Sequence, residues 1–447
     1  MKNKRSYNQP WRYALAMFGL SVTGYMYAAY GTFLYNDKLG LSMAAISFAT
    51  VLFSIWDAFN DPITGFLSDR TRSRFGRRKP WLLSSTPVLV LSAILFFSPP
   101  ESLGNGLMLA VYYTFFLMLA ETANTIASVN YHSLLPELYR ETGARNRANA
   151  IRQTLQLVGM IIGVSLFPKV VSAFENMAGS QVLGYRLTAV ALGVLGGAMM
   201  LYSFLGCRER EDFSQTPQPR LMESLKAVVS NRNFWLVSVS HFFYQATTGL
   251  LLAGIPFFIK YALGQPDDMA FILSGCVFVS AIPFMYLWYR LINRLGTLRA
   301  WRIALLWLAL ALGVMYFANG LTLASAIGVL VGIGIAGVTA NLDMVNSELI
   351  EEDAKRYGVR REATFFAAIS FVTRLSGLIR SGVFLLLTWW FGYQSGDVPG
   401  PQPGNAARFM LVVFPFVLML ISFAVSRFVR FEAVRQAEDT PDTKAQA

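Results

Sequence analysis

Between Ile303 and Leu342 the chain runs for 40 residues without a charged side chain. Wound as an α-helix that run is about 60 Å long, twice the ~30 Å hydrocarbon core of a bilayer. It must therefore cross a membrane twice, and Asn319-Gly320 is the place to turn. The rest of the chain follows the same pattern. Twelve apolar runs of about 20 or more residues emerge, from Trp11–Asn36 to Arg408–Phe431, each long enough to span. Of 447 residues, 54% are hydrophobic and only 14% charged, far more apolar surface than one globular core can hide. The fold class is an all-α polytopic membrane protein.

The charge pattern orients the spans. The net charge of +12 would suit nucleic acid if the basic residues formed one patch. They do not. Of the 38 Lys and Arg, 31 fall in the amino-terminal tail, the even-to-odd connections and the carboxy-terminal tail. Five lie on the other side (Lys38, Lys169, Arg186, Lys260, Arg408) and two within a span (Arg374, Arg380). By the positive-inside rule both termini are cytoplasmic, and no nucleic-acid partner is expected. The basic start MKNKRSYNQPWR lacks a small-residue cleavage site and leads into a retained first span. Cys207 and Cys276 read as small buried residues, not a disulfide framework.

The polar break from Arg208 to Lys226, with Pro217 and Pro219, divides two six-helix halves. The expected organisation is a bundle over 1–207, a cytoplasmic linker over 208–230, a second bundle over 231–435 and a disordered tail over 436–447. The halves echo each other. Arg74-Phe75-Gly76 followed by Trp81 recurs as Arg294-Leu295-Gly296 followed by Trp301, and Glu137-Leu138 with Gly143 and Arg145 as Glu348-Leu349 with Gly358 and Arg360. Such internal symmetry suits a two-repeat transporter.

Chemistry concentrates in Asp57–Pro80. Asp57 and Asp61 are four residues apart in the apolar run Val51–Phe66, so on a helix they share a face, with Asn60 beside them. A carboxylate near the bilayer centre costs several kcal/mol by the lower estimates, so such a pair marks a functional site. After Asp69 come six basic residues within ten positions (Arg70, Arg72, Arg74, Arg77, Arg78, Lys79), with Gly76 allowing a tight turn. A hard monovalent cation wants several oxygen ligands, and two carboxylates supply oxygen and charge together. Without a cation the pair would repel and tend to hold a proton. Sodium, lithium and proton all remain open as the coupling cation, and no other cofactor is expected. With two His and no Cys/His cluster, no transition-metal site is expected. No nucleophile-base constellation is visible, so an enzyme is not expected.

The stretch Gly65-Phe-Leu-Ser-Asp69-Arg, followed by Gly76-Arg-Arg-Lys79, resembles the loop between the second and third helices of the major facilitator superfamily, lengthened by a few residues. In that form, with IWDAFNDPITG before it and KPW after it, it is similar to the glycoside-pentoside-hexuronide:cation symporters, the family of the melibiose permease. SLLPEL (Ser133–Leu138), Arg147, Arg152 and RREATFFA (Arg360–Ala367) extend the resemblance over both halves. It implies a major facilitator fold and a cation site at Asp57, Asn60, Asp61 and Thr125. It implies cation-coupled symport of a sugar, glycoside or related small solute, in a bacterial inner membrane and by a functional monomer.

The implied solute site is altered. Two sugar-binding aspartate positions are Ser21 and Ser128, the nearby tryptophan position is His132, Arg152 is kept, and the lysine position of the eleventh span is Arg374. Losing both carboxylates points to a changed solute. The lysophospholipid symporters related to the family offer an alternative, with Arg374 meeting a phosphate. Arg374 is equally open to pairing with a buried acid such as Glu121 or Asp343. His132 is open between solute contact and a helix-helix hydrogen bond, and His241 reads as packing. Arg380, nearly two turns beyond Arg374, falls on a different part of the helix. Asp69, Arg70, Arg77, Glu348 and Glu351 are the expected gating residues, biasing two states. A non-transporting receptor or scaffold on the same fold is the remaining reading.

Overall fold

The computed structural model describes residues 9–73, 75–139, 142–207, 226–357, 362–394 and 399–431. Most of the expected linker and all of the tail over 436–447 lie outside them. Among the described residues the chain is helical, with no strand. The helices are α1 (10–38), α2 (Met43–Arg70), α3 (Lys79–Phe96), α4 (Leu107–Leu138), α5 (142–178) and α6 (Gln181–Gly206), then α7 (Arg232–Ala262), α8 (Asp267–Leu295), α9 (Thr297–Met315), α10 (Leu321–Tyr357), α11 (362–391) and α12 (Pro403–Ser426). Eleven, α2 to α12, are long and apolar enough to cross a membrane. The other, α1, is wound as an α-helix over Pro10–Met26 and passes into π-helical turns at Tyr27–Gly31 and Leu34–Lys38.

Local chemistry sets the ends. Ser42 caps α2, its Oγ accepting from the Ala45 amide at 3.2 Å. Gly76 turns the α2–α3 connection with φ 106°, and Gly296 joins α8 directly to α9 with φ 79°, backbone that a side chain would resist. The uncharged 40-residue run does turn between Met315 and Leu321. One helix outlasts its apolar pattern. α10 continues past Glu348 to Tyr357, because Glu, Ala, Lys and Arg are good helix formers after the hydrophobic stripe ends.

Within the first half α1 packs on α5 and α6, α3 on α4 and α6, and α2 on α4; within the second, α9 and α8 pack on α10, and α7 and α9 on α12. Small residues permit this. A Cβ on Gly19 of α1 would stand 2.4 Å from the Gly196 carbonyl of α6, so these two backbones touch. The halves meet along α2–α11, α1–α7 and α5–α8. Large apolar side chains cover the outside, Trp389 and Trp390 with 73% and 62% of their surface exposed, as suits a lipid-facing surface.

α11 is the single span expected, but it is not evenly wound. It is α-helical over Glu362–Arg374 and again over Gly377–Phe391. Between them Ser376 N bonds Thr373 O at 3.1 Å and Ile379 N bonds Ser376 O at 3.1 Å, tighter i→i+3 turns than an α-helix makes. The backbone is drawn in where α11 crosses α2: a Cβ on Gly377 would stand 2.1 Å from Ser54 Oγ.

Candidate functional site

α2 carries Asp57 and Asp61 on the face turned to α11, as their spacing predicts. Arg374, the last residue of the first α11 segment, reaches between them. Its Nη1 pairs with Asp57, its Nη2 lies 2.6 Å from Asp61 Oδ2, and Nη1 is 3.6 Å from Glu121 Oε1 on α4. One guanidinium therefore ties α2 and α4 of the first half to α11 of the second. Of the two fates open for Arg374 in the sequence, pairing with buried acids is the one observed in this state, with Glu121 among them; the side chain of Asp343 lies outside the described residues.

The remaining cation-site residues surround this cage. Thr125, fully buried, donates from Oγ1 to Glu121 Oε1 at 3.5 Å, one helical turn away on α4. Asn60 is buried, its Oδ1 accepting from Thr64 Oγ1 at 3.4 Å. Trp56 Nε1 donates to Thr122 Oγ1 at 2.9 Å and keeps α2 and α4 in register. Two buried atoms of this cage have no hydrogen-bond partner among the described residues, Asn60 Nδ2 and Asp61 Oδ1. An unpaired carboxylate oxygen inside a membrane helix bundle is an acceptor awaiting a ligand. Among the described residues no three His, Cys, Asp or Glu side chains converge closely enough to hold a metal ion: the guanidinium stands between the carboxylates.

A cavity of about 450 Å³ opens beside the cage, within the roughly 300–1,000 Å³ range of small-molecule sites. Asp57, Arg374 and Arg380 line it with Gln245, Thr248 and Ser370. A second cavity of about 150 Å³, bounded by Tyr27, Tyr113, Glu121 and Asn124, shares Arg380 with the first.

The other expected solute residues are placed apart from these cavities. Ser21 sits in the seam of α1 and α5, where a Cβ on Gly159 would stand 2.7 Å from its Cβ; its hydroxyl is buried without a hydrogen-bond partner. Ser128 donates to the Thr125 carbonyl at 3.2 Å, and His132 Nδ1 lies 2.7 Å from the Ser128 carbonyl. Arg152 on α5 donates to Asn149 Oδ1 at 3.1 Å and its charge reaches His132. Ser128, His132 and Arg152 thus form their own group on α4 and α5.

Of the expected gating residues, the side chains of Asp69 and Arg70 lie outside the described set, Arg77 is half-buried in the α2–α3 connection, and Glu348 and Glu351 lie on α10, Glu348 beside Thr297. Among the described residues the cross-half ion pairs beyond the cage gather at the opposite end, away from the termini. Asp37, its side chain fully buried, accepts from Lys260 Nζ at 2.6 Å and from the Tyr261 hydroxyl. Lys38 pairs with Asp267, Lys169 with Asp268 at 2.7 Å, and Tyr393 donates to Asn36 Oδ1 at 3.1 Å. Five links among the described residues join the halves there.

These contacts describe two helix bundles meeting over a polar, charged central cavity, and known proteins share the fold. Residues 12–433 match the model of the MFS/sugar transport protein family. The chain belongs to that family. A named symporter and a named transporter are similar to it along most of their length. The sodium-dependent lysophosphatidylcholine symporter 1 of Gallus gallus is 25% identical over 452 residues, covering 92% of this chain and 84% of the relative. The isoprimeverose transporter of Lactiplantibacillus pentosus is 24% identical over 438 residues, covering 97% and 90%. In fold, the chain is similar to a bacterial homologue of the human lysosomal transporter Spinster in an inward-facing, unoccupied conformation, with a TM-score of 0.70 at 15% identity over 95% of this chain and 98% of the other. The MFS/sugar transport chain is a multi-pass membrane transporter of a small-molecule solute, not an enzyme.

Three features of the site go beyond the sequence reading. Glu121, which the sequence offers only as a partner for Arg374, is the third carboxylate of the cage; it is the one charge between Leu107 and Leu135, a signal as plain as Asp57 and Asp61. Arg380, on another part of its helix by spacing alone, lines both cavities. Asp37 and Lys260, in sequence no more than charges on the outer side, meet in the fold, and nothing local says that residues so far apart in the chain do so.

Proposed function

We propose that this transporter is a cation-coupled symporter working by alternating access, with its termini in the cytoplasm and, by resemblance, in a bacterial inner membrane. The observation that carries the reading is Arg374 held by Asp57, Asp61 and Glu121 at the wall of the central cavity. A protein-borne positive charge occupies the place a coupling cation would take, while Asp61 Oδ1 is left as a buried acceptor. Sodium, lithium or a proton arriving at Asp57, Asn60, Asp61 and Thr125 neutralises the carboxylates and releases the guanidinium toward the cavity. Solute then meets Arg374 only after the cation has bound, so each ligand raises the affinity for the other.

The solute is a sugar, glycoside or similar small polar molecule. The size of the cavity and its lining of Gln245, Thr248 and Ser370 support that class. The likeness to a lysophosphatidylcholine symporter favours an amphiphile as the second reading. The test is uptake of saccharides, glycosides, uronates and lysophospholipids into proteoliposomes, with and without a sodium or proton gradient. Asp57→Cys and Asp61→Cys should each abolish the gradient-driven component while the protein stays membrane-inserted. Full sodium and proton stimulation in both variants would remove the cation site from these residues.

A further inference from the structure

Arg380 lies six residues beyond Arg374, on the far side of the break in α11, at the start of the segment Gly377–Phe391. Its guanidinium lies between α7 and α11: a Cβ on Gly249 would stand 3.5 Å from Nη1, and one on Gly377 would stand 3.9 Å from Nη2. Its polar end opens into both cavities. Among the described residues it makes no hydrogen bond and no ion pair. The carboxylates whose charge reaches it are those of Asp57 and Glu121, and both are engaged by Arg374.

A guanidinium stays charged at any physiological pH. Inside a membrane bundle a charged side chain facing a cavity with free donors marks the path of whatever ligand fills them. The surplus negative charge of the cage reaches it, but among the described residues no side chain accepts from its N–H donors. We propose that the solute does: the transported molecule is an organic anion whose oxyanion group, a sulfonate, phosphate or carboxylate, is held by Arg380. Guanidinium and oxyanion match as a two-pronged hydrogen-bonded pair. The polar body of the solute lies among Gln245, Thr248, Ser370 and Ser376. This rests on the reading of the cavity as the solute site of a cation-coupled transporter, and it sharpens that reading. Arg374, once displaced from its cage, becomes the second guanidinium against the same anion.

The experiment is thermal unfolding of the purified full chain with matched pairs of compounds, each with and without sodium. The pairs are glucuronate against glucose, glycerol 1-phosphate against glycerol, and a lysophospholipid against a monoacylglycerol. In the wild type the charged member of at least one pair should stabilise and its neutral twin should not. The soluble pairs and the lipid pair tell which body carries the anion. Arg380→Gln should weaken the charged ligand about 10- to 100-fold, and Arg380→Lys should fall between. Arg380→Lys, which keeps the charge, should leave the response to sodium alone in place, whereas Arg380→Gln removes a charge that reaches Asp57 and Glu121 and should not weaken it. Neutral twins binding as well as the anions in the wild type would overturn the proposal, and that comparison needs no variant to fold. So would an Arg380→Gln protein that binds the anion with wild-type affinity. No response of the wild type to sodium, lithium or pH, with anion binding intact, would instead overturn cation coupling and leave the anion site standing.

Discussion

Replacing Arg374 by Gln would leave Asp57, Asp61 and Glu121 facing one another with no positive charge between them. Three carboxylates in a desolvated site repel, and they bind a free cation or proton more avidly than a cage already filled by an arginine. Arg374→Gln should therefore tighten the apparent affinity for sodium, read as the midpoint of sodium-dependent thermal stabilisation, by about tenfold or more, a difference of roughly 1.4 kcal/mol. Solute uptake should fall at the same time, because the link between cation and solute runs through that side chain. Unchanged or weakened binding of every candidate cation would show that the guanidinium does not compete for the site. Glu121→Gln should weaken the cation affinity in the same assay. Asp57 and Asp61 were legible from sequence because two carboxylates four apart in an apolar run are too costly in lipid unless they share a polar site. That Arg374 sits between them was not, since they are more than 300 residues apart.

The break in α11 works at the scale of the element. Tight turns after Arg374 carry Gly377 against Ser54 of α2, where an added Cβ would stand 2.1 Å from the hydroxyl oxygen. Gly377→Val would place three carbons there and push α11 from α2, drawing Arg374 from Asp57. Transport should be lost while the protein remains folded, since the clash lies at the cavity wall between halves. The companion change Ser54→Gly should restore part of the activity of a Gly377→Ala variant by removing the hydroxyl. Equal activity of Gly377→Ala with and without that companion would mean that the contact is not what limits motion. From sequence, α11 reads as one span, because its apolar pattern runs on through Ser376 and Gly377 and only the hydrogen bonding of the folded chain shows the tightened turns.

Across the whole molecule, ion pairs join the halves at the end away from the termini, and Asp37 is their centre. Asp37→Ala would strand Lys260 and free the Tyr261 hydroxyl, removing charge-assisted hydrogen bonds worth about 1.5–3 kcal/mol each. The halves should then part more often at that end. With Cys207 and Cys276 replaced by Ser, spin labels at Leu39→Cys and Gln265→Cys should report one short distance in the parent protein and an added longer population in Asp37→Ala. Identical distance distributions would show that other contacts hold this end shut.

The sequence by itself determined the class of the protein. Apolar runs of spanning length, an asymmetric spread of Lys and Arg, and a faint repeat between halves all follow from the cost of placing backbone and charge in hydrocarbon, a cost written into each segment separately. It determined two carboxylates of the cage for the same reason. Only the tertiary structure decided that Arg374 fills the cage, that Ser128, His132 and Arg152 gather apart from the main cavity, and that Asp37 meets Lys260. It also decided that Arg380 faces that cavity with no hydrogen-bond partner among the described residues. Each of these depends on how one half meets the other or how helices far apart in the chain are packed. A hydropathy pattern reports how each residue tolerates lipid, not which distant residue it will meet.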